Sequence, residues 1–385
     1  MPPNLVVFSS LLLPPSQTFI QAQGERLTRF TPYYVGSRQV QGLALPPERT
    51  LVVNRGGPLG LLQEVGFKAL GWAPGLGSRL RQMEPCLIHA HFGLGGALAL
   101  PLAQRLGVPL VVTYHGADAT ARSAPYSWSH HLYRQRHQTL VREACLFIAV
   151  SRFIYRTLLA GGFPTEKIVQ HYIGVDTQKF CPADRAARVP YVLCVGRHTP
   201  KKGLDTLLRA FARLAVQFSD IHLFQVGTGE LTAVLKALAA HLGIAERVHF
   251  LGSQPPQVVL RLMQGARLFA LASQQAADGD SEGLGMVFLE ASACGIPVVA
   301  TWHGGIPEAV VAGETGLLAP EGDDAALAEH IAHLLSDRTR AQQMGVRGRE
   351  YVCECFDLHK QSQVLEQIYA GLPTWSPSRN IALSY

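Results

Sequence analysis

The stretch DGDSEGLGMVFLEASACGIPVVAT, residues 278–301, decides how this chain is read. A glycine-rich turn at Glu282–Gly285 precedes an apolar helical run that opens at about Met286 and stops at Gly295. Pro297 then starts a short strand that runs to Ala300. Turn, helix and apolar strand in this order belong to a parallel α/β sheet, where ligands gather at the turns that follow the strands. Glu282 and Glu290 stand eight residues apart. That is roughly 12 Å at a helical rise of ~1.5 Å per residue, although Glu282 lies in the turn. Such a pair suits a ligand with a polyol at each end and an anion between, the anion facing the amides of Gly285, Met286 and Val287. In a purely structural reading the two would be a capping and a buried glutamate. Phe288, Leu289, Ala291 and Ala293 flank Glu290, and a carboxylate buried there without a partner is costly. A ligand role is therefore favoured.

Outward from this stretch, short apolar runs alternate with helical patterns. Strands are expected at Leu5–Phe8, Cys86–Ala90, Leu110–Tyr114 and Cys145–Val150 in the first half. In the second half they are expected at Tyr191–Val195, His222–Val226, Val248–Leu251, Arg267–Leu271 and Pro297–Ala300. Leu204, Leu207, Leu208, Phe211 and Leu214 form one helical stripe. Alternation of this kind implies an α/β chain with parallel sheets covered on both faces. The pattern pauses at 174–190, which reads as a linker. Two Rossmann-like, doubly wound domains follow, 1–183 and 184–363, with a tail of about 364–385 packing back on the first. A last helix is expected from about Asp357 to Ala370.

The length of 385 residues with 48% hydrophobic content suits two cores. The seven cysteines include no CxxC pair and read as reduced thiols of a cytoplasmic protein. Residues 5–13 are apolar, but no basic residue precedes them and the run is short, so a buried first strand is expected rather than a leader. No stretch reaches the ~18 apolar residues of a membrane span. Residues 1–183 hold 17 basic against 8 acidic residues, giving +9, and the remainder holds 17 against 20, giving −3. The basic half suggests an anionic partner, and ordinary solubility is the alternative. Segment 122–142 interleaves Arg122, Arg134, Arg136 and Arg142 with Tyr126, Trp128 and Tyr133. That pattern makes an anionic membrane surface a candidate partner, on the inner face of the membrane. No nucleic-acid-binding motif accompanies it, so nucleic acid is not expected.

VGRHTPKKG, residues 195–203, follows a strand and leads into a helix. Its Arg197 and Lys202 suit a diphosphate, one as a fork and the other as a point charge. In VGTGE, residues 226–230, Gly227 and Gly229 would let backbone approach a nucleotide. In the first half, HAHFGLGG (89–96) and VTYHGAD (112–118) end strands with His89, His91, His115 and Asp118. They lack HExxH spacing, so no metal is expected, and Asp278-x-Asp280 is read as a loop and cap.

As a set, Glu282…Glu290, the GR…KG loop, VGTGE, FLGS (250–253), GGIPEAV (304–310), TYHGAD, VSRF (150–153) and IGVD (173–176) resemble family 4 of the retaining glycosyltransferases, which have the GT-B fold. PSQTFI (15–20), HAHFG and GDSEGL are similar to transferases of bacterial exopolysaccharide and colanic-acid-type assembly. The resemblance implies a nucleoside-diphosphate sugar as donor and a saccharide or lipid-linked saccharide as acceptor, with no cofactor and no metal. It implies that Glu282 holds hexose hydroxyls, that Arg197 and Lys202 hold and stabilise the diphosphate, and that Glu290 holds the ribose. Leu251 and Gly252 would frame the base, beside Gly227 and Gly229. Gly283, Leu284, Gly285, Met286 and Val287 would line the donor. His115 would orient the transferred sugar. Ser16, Thr18, His91, Asp118 and Ser151 fall on the acceptor side, Ser151 as a supporting position and not a nucleophile. The chain departs from the family at LLPPSQTFI, where many relatives carry a Gly-Gly loop, and at Gln17, where an acidic residue is usual. Three rival readings share the fold. A glycogen- or sucrose-type glucosyltransferase is usually longer. A sugar-nucleotide 2-epimerase needs acid/base carboxylates in the cleft. A non-catalytic nucleotide-sugar-binding protein would be expected to lose Arg197, Lys202 or Glu282.

Overall fold

The computed structural model describes residues 2–71, 73, 75–121, 128–183 and 191–372. The apolar runs form two parallel sheets. The first sheet holds β1 (Asn4–Leu12), β2 (Thr31–Gln39), β3 (Thr50–Asn54), β4 (Leu87–His91), β5 (Leu110–Tyr114), β6 (Leu146–Ala149) and β7 (Ile168–Gln170), in the order β3-β2-β1-β4-β5-β6-β7. The second holds β8 (Tyr191–Val195), β9 (His222–Val226), β10 (Val248–Phe250), β11 (Leu268–Ala270), β12 (Val298–Thr301) and β13 (Gly316–Ala319), in the order β10-β9-β8-β11-β12-β13. The order reverses beside β1 and β8, so the crevices of both sheets open at the carboxyl ends of these central strands. This is the two-domain GT-B architecture.

Alternate residues of β1 serve the two faces of the first sheet. Val6 and Phe8 pack with Ala97, Leu98 and Phe67 on one side. Leu5 and Val7 pack on the other with Leu365 and Tyr369 of the Leu358–Ala370 helix. That helix is clamped by polar contacts as well. Glu366 accepts from the amides of Thr28 at 2.5 Å and Arg29 at 2.7 Å, and the Tyr369 hydroxyl meets His89 Nδ1 at 2.6 Å. The chain thus crosses between the domains twice. Val175 N–H donates to Phe356 O and Leu358 N–H to Val175 O, at 2.7 and 2.9 Å, so the two crossings run side by side. The expected linker was 174–190. Its residues 184–190, the 183/184 boundary and residues 373–385 of the tail lie outside the described residues.

Four strands were not expected: β2, β3, β7 and β13. β2 carries Pro32 and Gly36 and ends in polar residues, while β7 and β13 are only three and four residues long. Their burial comes from neighbours distant in sequence, so local pattern is weak. All seven cysteines are free. No helix among the described residues is long and apolar enough to cross a membrane. Within 122–142, residues 122–127 and the side chains of 128–130 lie outside the described set. The rest of the segment faces inward more than its composition suggests. The Tyr133 hydroxyl meets that of Tyr114 at 3.0 Å, and Arg136 donates to the carbonyls of Ala97 and Ala69.

Candidate functional site in the interdomain cleft

The Glu282–Gly285 turn is held from both domains. From its own domain, Gly305 N–H donates to Glu282 O at 2.9 Å. Glu282 N–H donates to His303 Nε2 at 3.1 Å, which leaves the ring proton on Nδ1, where Glu321 accepts it at 2.7 Å. From the first domain, Ser151 Oγ donates to Gly283 O at 2.6 Å and Ser281 N–H donates to Thr120 Oγ1 at 3.0 Å. The fit is close enough that a β-carbon on Gly283 would lie 2.0 Å from His115 O. Position 283 therefore admits only glycine while the domains touch.

This packing aims the polar side chains. Lys202 forms an ion pair with Glu282, and its neighbour Lys201 pairs with Asp280 at 2.9 Å. Burial alone would raise the Glu282 pKa. The ammonium groups of Lys202 and Lys201 outweigh it and bring the carboxyl down to about 2. Arg197, at the start of the same loop, is exposed, and among the described residues it has no ion-pair partner. The amides of Met286 and Val287 open the Met286–Ala293 helix without an intrahelical acceptor. One turn further along, the Glu290 carboxyl accepts no hydrogen bond from any described residue, although its backbone carbonyl accepts from Cys294 N–H. Burial pushes the carboxyl up to about 7, outweighing the opposing charge of Lys179.

Across the cleft, His91, the last residue of β4, stacks on His115, the residue that follows β5. His91 Nδ1 lies 3.0 Å from His115 Nε2, and their rings stack at 5.3 Å. Burial, with a smaller contribution from His89, lowers His115 to about 3, so it is neutral near pH 7. Its Nδ1 is buried with no partner, and Phe19 and Phe92 pack against the ring. Asp118 holds the loop that carries His115. Its Oδ1 accepts from the amides of His115 and Gly116 at 3.0 and 2.9 Å, and Oδ2 accepts from Gly93 at 3.1 Å.

The other expected positions have varied surroundings. Ser151, assigned to the acceptor side, is fully buried. It caps the Arg152–Ala160 helix and ties the domains together. Asp118, also assigned to the acceptor side, accepts from backbone amides with both carboxylate oxygens. Gly227 and Gly229 make room for the protein's own loop, since their β-carbons would lie 2.0 Å from Gly196 O and 2.5 Å from His198 O. Asp280 is an ion-pair partner as well as a loop residue. Leu251 and Gly252 do join Gly227, whose N–H donates to Gly252 O at 2.8 Å. Ser16 is exposed, and Thr18 opens the Thr18–Glu25 helix, whose Phe19 touches His115.

Sequence reasoning missed Lys201, Thr120, His303 and Glu308. Glu308 accepts from Arg152 N–H and Phe153 N–H at 2.8 and 3.0 Å and from Tyr172 Oη at 2.9 Å, a carboxylate set at the helix N-terminus of the opposite domain. The only signal for it was its place in GGIPEAV.

Comparison with known proteins decides the family. Residues 21–179 match the family described as Glycosyltransferase Family 4, and residues 180–351 match Glycosyl transferases group 1. A GDP-mannose-dependent alpha-(1-6)-phosphatidylinositol monomannoside mannosyltransferase of Mycolicibacterium smegmatis is 33% identical, over 77% of this chain and 81% of its own. The chain belongs to the family 4 glycosyltransferases. Another relative of this transferase, the amylovoran biosynthesis glycosyltransferase AmsK of Erwinia amylovora, is 34% identical over 73% of this chain and 69% of its own. In fold, the transferase is similar to Anabaena Alr3699/HepE, solved in complex with UDP-glucose. The TM-score is 0.78 at 22% identity, covering 96% of this chain and 100% of that one. The chain is a glycosyltransferase whose relatives serve polysaccharide and glycolipid biosynthesis.

The state of Glu290 gives a pH prediction for this transferase. Its folded pKa of about 7 lies above the ordinary 4.5. Between these values the folded state holds more protons than the unfolded chain, so stability falls as pH rises through this window. Thermal unfolding of the unliganded protein is expected to drop from pH 5 to pH 8 more steeply than that of Glu290→Gln. Parallel curves for the two proteins would show that Glu290 is ordinarily solvated.

Proposed function

We propose that the transferase moves a hexosyl group from a nucleoside-diphosphate sugar to a saccharide or lipid-linked saccharide, with retention at the anomeric carbon. It needs no metal and works at the cytoplasmic face of a membrane. The observation that carries this reading is the Lys202–Glu282 pair beside the free amides of the Met286–Ala293 helix, with unpaired Arg197 in the same loop. Departure of a nucleoside diphosphate builds negative charge. Arg197, Lys202 and the amides are positioned there before the reaction, where fixed charge acts most strongly. When the donor enters, Glu282 takes the sugar hydroxyls and Lys202 turns to the phosphate. Glu290 receives the ribose hydroxyls, which supply the hydrogen bonds it lacks. Neutral His115 orients the sugar as a hydrogen-bonding group and not as an acid. The proton on the acceptor hydroxyl passes to the departing phosphate oxygen on the same face. Asp118, with both oxygens on backbone amides, is unsuited to be a covalent nucleophile, which supports front-face attack.

The test is a panel of UDP-, GDP- and ADP-sugars, followed by calorimetry and by slow hydrolysis with and without EDTA. GDP-mannose leads the panel because the Mycolicibacterium relative is named for it. One base is expected to bind and hydrolyse at a rate that chelator leaves unchanged. No binding across the panel would overturn the donor reading. Loss of activity in EDTA with rescue by Mn²⁺ would overturn the metal-free mechanism.

A further inference from the structure

The Gly57–Leu70 helix, which follows β3, is inside out. Its ionic residues point inward, with Glu64 and Lys68 buried and paired at 2.6 Å. Glu64 also binds Arg38 at 2.7 Å and Asn54 at 2.6 Å. Apart from Phe67, which packs into the core, its large apolar residues point outward: Leu59, Leu62 and Leu70 are 68, 69 and 68% exposed, and Leu61 and Val65 are 51 and 44% exposed. Among the described residues, five of the eleven exposed large hydrophobic side chains lie on this one helix. A clustered apolar face of this kind marks an interaction site.

The surroundings are cationic. Arg55 precedes the helix, and Arg79 and Arg81 lie on the next one, Leu76–Met83. All three are exposed without an ion-pair partner among the described residues. At the far end, Arg105 donates to the carbonyls of Leu70 and Gly71 and Arg136 to that of Ala69. Hollows of about 560 and 390 Å³ flank the helix, and Arg55 lines both. No exposed carboxylate interrupts the helix itself.

We propose that this face is where the transferase docks on an anionic phospholipid surface, with the leucines entering the headgroup–acyl boundary and the arginines meeting lipid phosphates. The inference rests on the membrane reading above and replaces segment 122–142 as its seat. A second copy of the chain fits worse, because a twofold contact through this face would bring the same arginines against one another. Because the sheet is parallel, the Asn54 end of β3, from which the helix departs, is also the end at which His91 closes β4. A bilayer here would deliver a lipid-linked acceptor along the side of the cleft.

Sedimentation with phosphatidylcholine vesicles, with and without phosphatidylglycerol, tests this on the full chain. The wild type is expected to pellet with the anionic vesicles at low salt and to be released at moderate salt. Leu59→Gln/Leu62→Gln should weaken binding at least about tenfold. Arg55→Gln/Arg79→Gln should weaken it severalfold and flatten the salt dependence. Val216→Gln, at a site 92% exposed elsewhere, should change nothing. Circular dichroism and donor binding should stay normal in every variant. If the double leucine variant pellets like the wild type, the docking face is elsewhere and the membrane reading stands. If the wild type ignores both vesicles, both ideas fall while donor binding still tests the transferase reading. A dimer that the leucine changes dissolve, with no vesicle binding, would assign the face to a second copy and overturn the proposal.

Discussion

Arg197→Ala and Lys202→Ala are each expected to lower kcat/KM by ~10²-fold or more with the fold intact, because each removes a positive charge placed where the leaving diphosphate develops its own. The two variants should differ in pH dependence. Arg197 is exposed and pairs with no described residue, so its loss leaves the other groups as they were. Lys202 is the strongest of the groups that hold the Glu282 carboxyl near 2 against its burial. Without Lys202 that pKa climbs. The acid limb of the rate profile should then move toward neutrality in Lys202→Ala and stay in place in Arg197→Ala. Rate–pH profiles of both purified variants, with thermal unfolding as the control, check this. Near-normal rates in both would remove the diphosphate site from this loop. Equal acid limbs would mean that Glu282 does not work as a carboxylate.

Gly283→Ala should be at least as damaging, for a different reason. Its new methyl would lie 2.0 Å from His115 O and 2.7 Å from His115 C, which are backbone atoms of the opposite domain. Neither side can yield by a rotamer change, so the domains must part and the Ser151–Gly283 bond is lost. Catalysis that depends on placing His115 over the sugar should fall by more than ~10²-fold, the scale on which an ångström of misplacement acts. Donor affinity should fall less, since Arg197, Lys202 and Glu290 all belong to the second domain. Kinetics paired with nucleotide titration separates the two effects. Gly77→Ala, whose methyl meets nothing within 4 Å, is the matched control. Wild-type turnover in Gly283→Ala would show that the contact is not part of the working state.

Much of this was readable in the residues, and what was hidden shares a cause. β5, β8 and β9 fall at the expected residues because each is a five-residue stretch whose apolar residues are mostly buried, broken only by Thr113 in β5 and by His222 and Gln225 in β9. Glu282, Glu290, Arg197 and Lys202 stood out because charge in a glycine-rich turn or an apolar helix has few structural excuses. Lys201 was passed over because its twin Lys202 explained the motif, and only the fold shows that it faces Asp280. Glu308 and Ser151 act through backbone amides and a carbonyl of residues 132 to 156 positions away. No local pattern encodes such partners. The inside-out helix escaped for the opposite reason. Its leucines satisfy an ordinary core pattern, and only the burial of Glu64 and Lys68 reveals which side faces out.

The double crossing at Val175 and Leu358 also bears on synthesis. Residues 191–356 form a contiguous sheet with its covering helices and can close on themselves as they leave the ribosome. The first domain cannot. One face of its sheet is completed by Leu365 and Tyr369, and the amides of Thr28 and Arg29 wait for Glu366. The half of the chain made first is therefore the half finished last. Until residues 358–370 arrive, Leu5, Val7 and Val111 lack their cover, a nascent surface suited to chaperone capture.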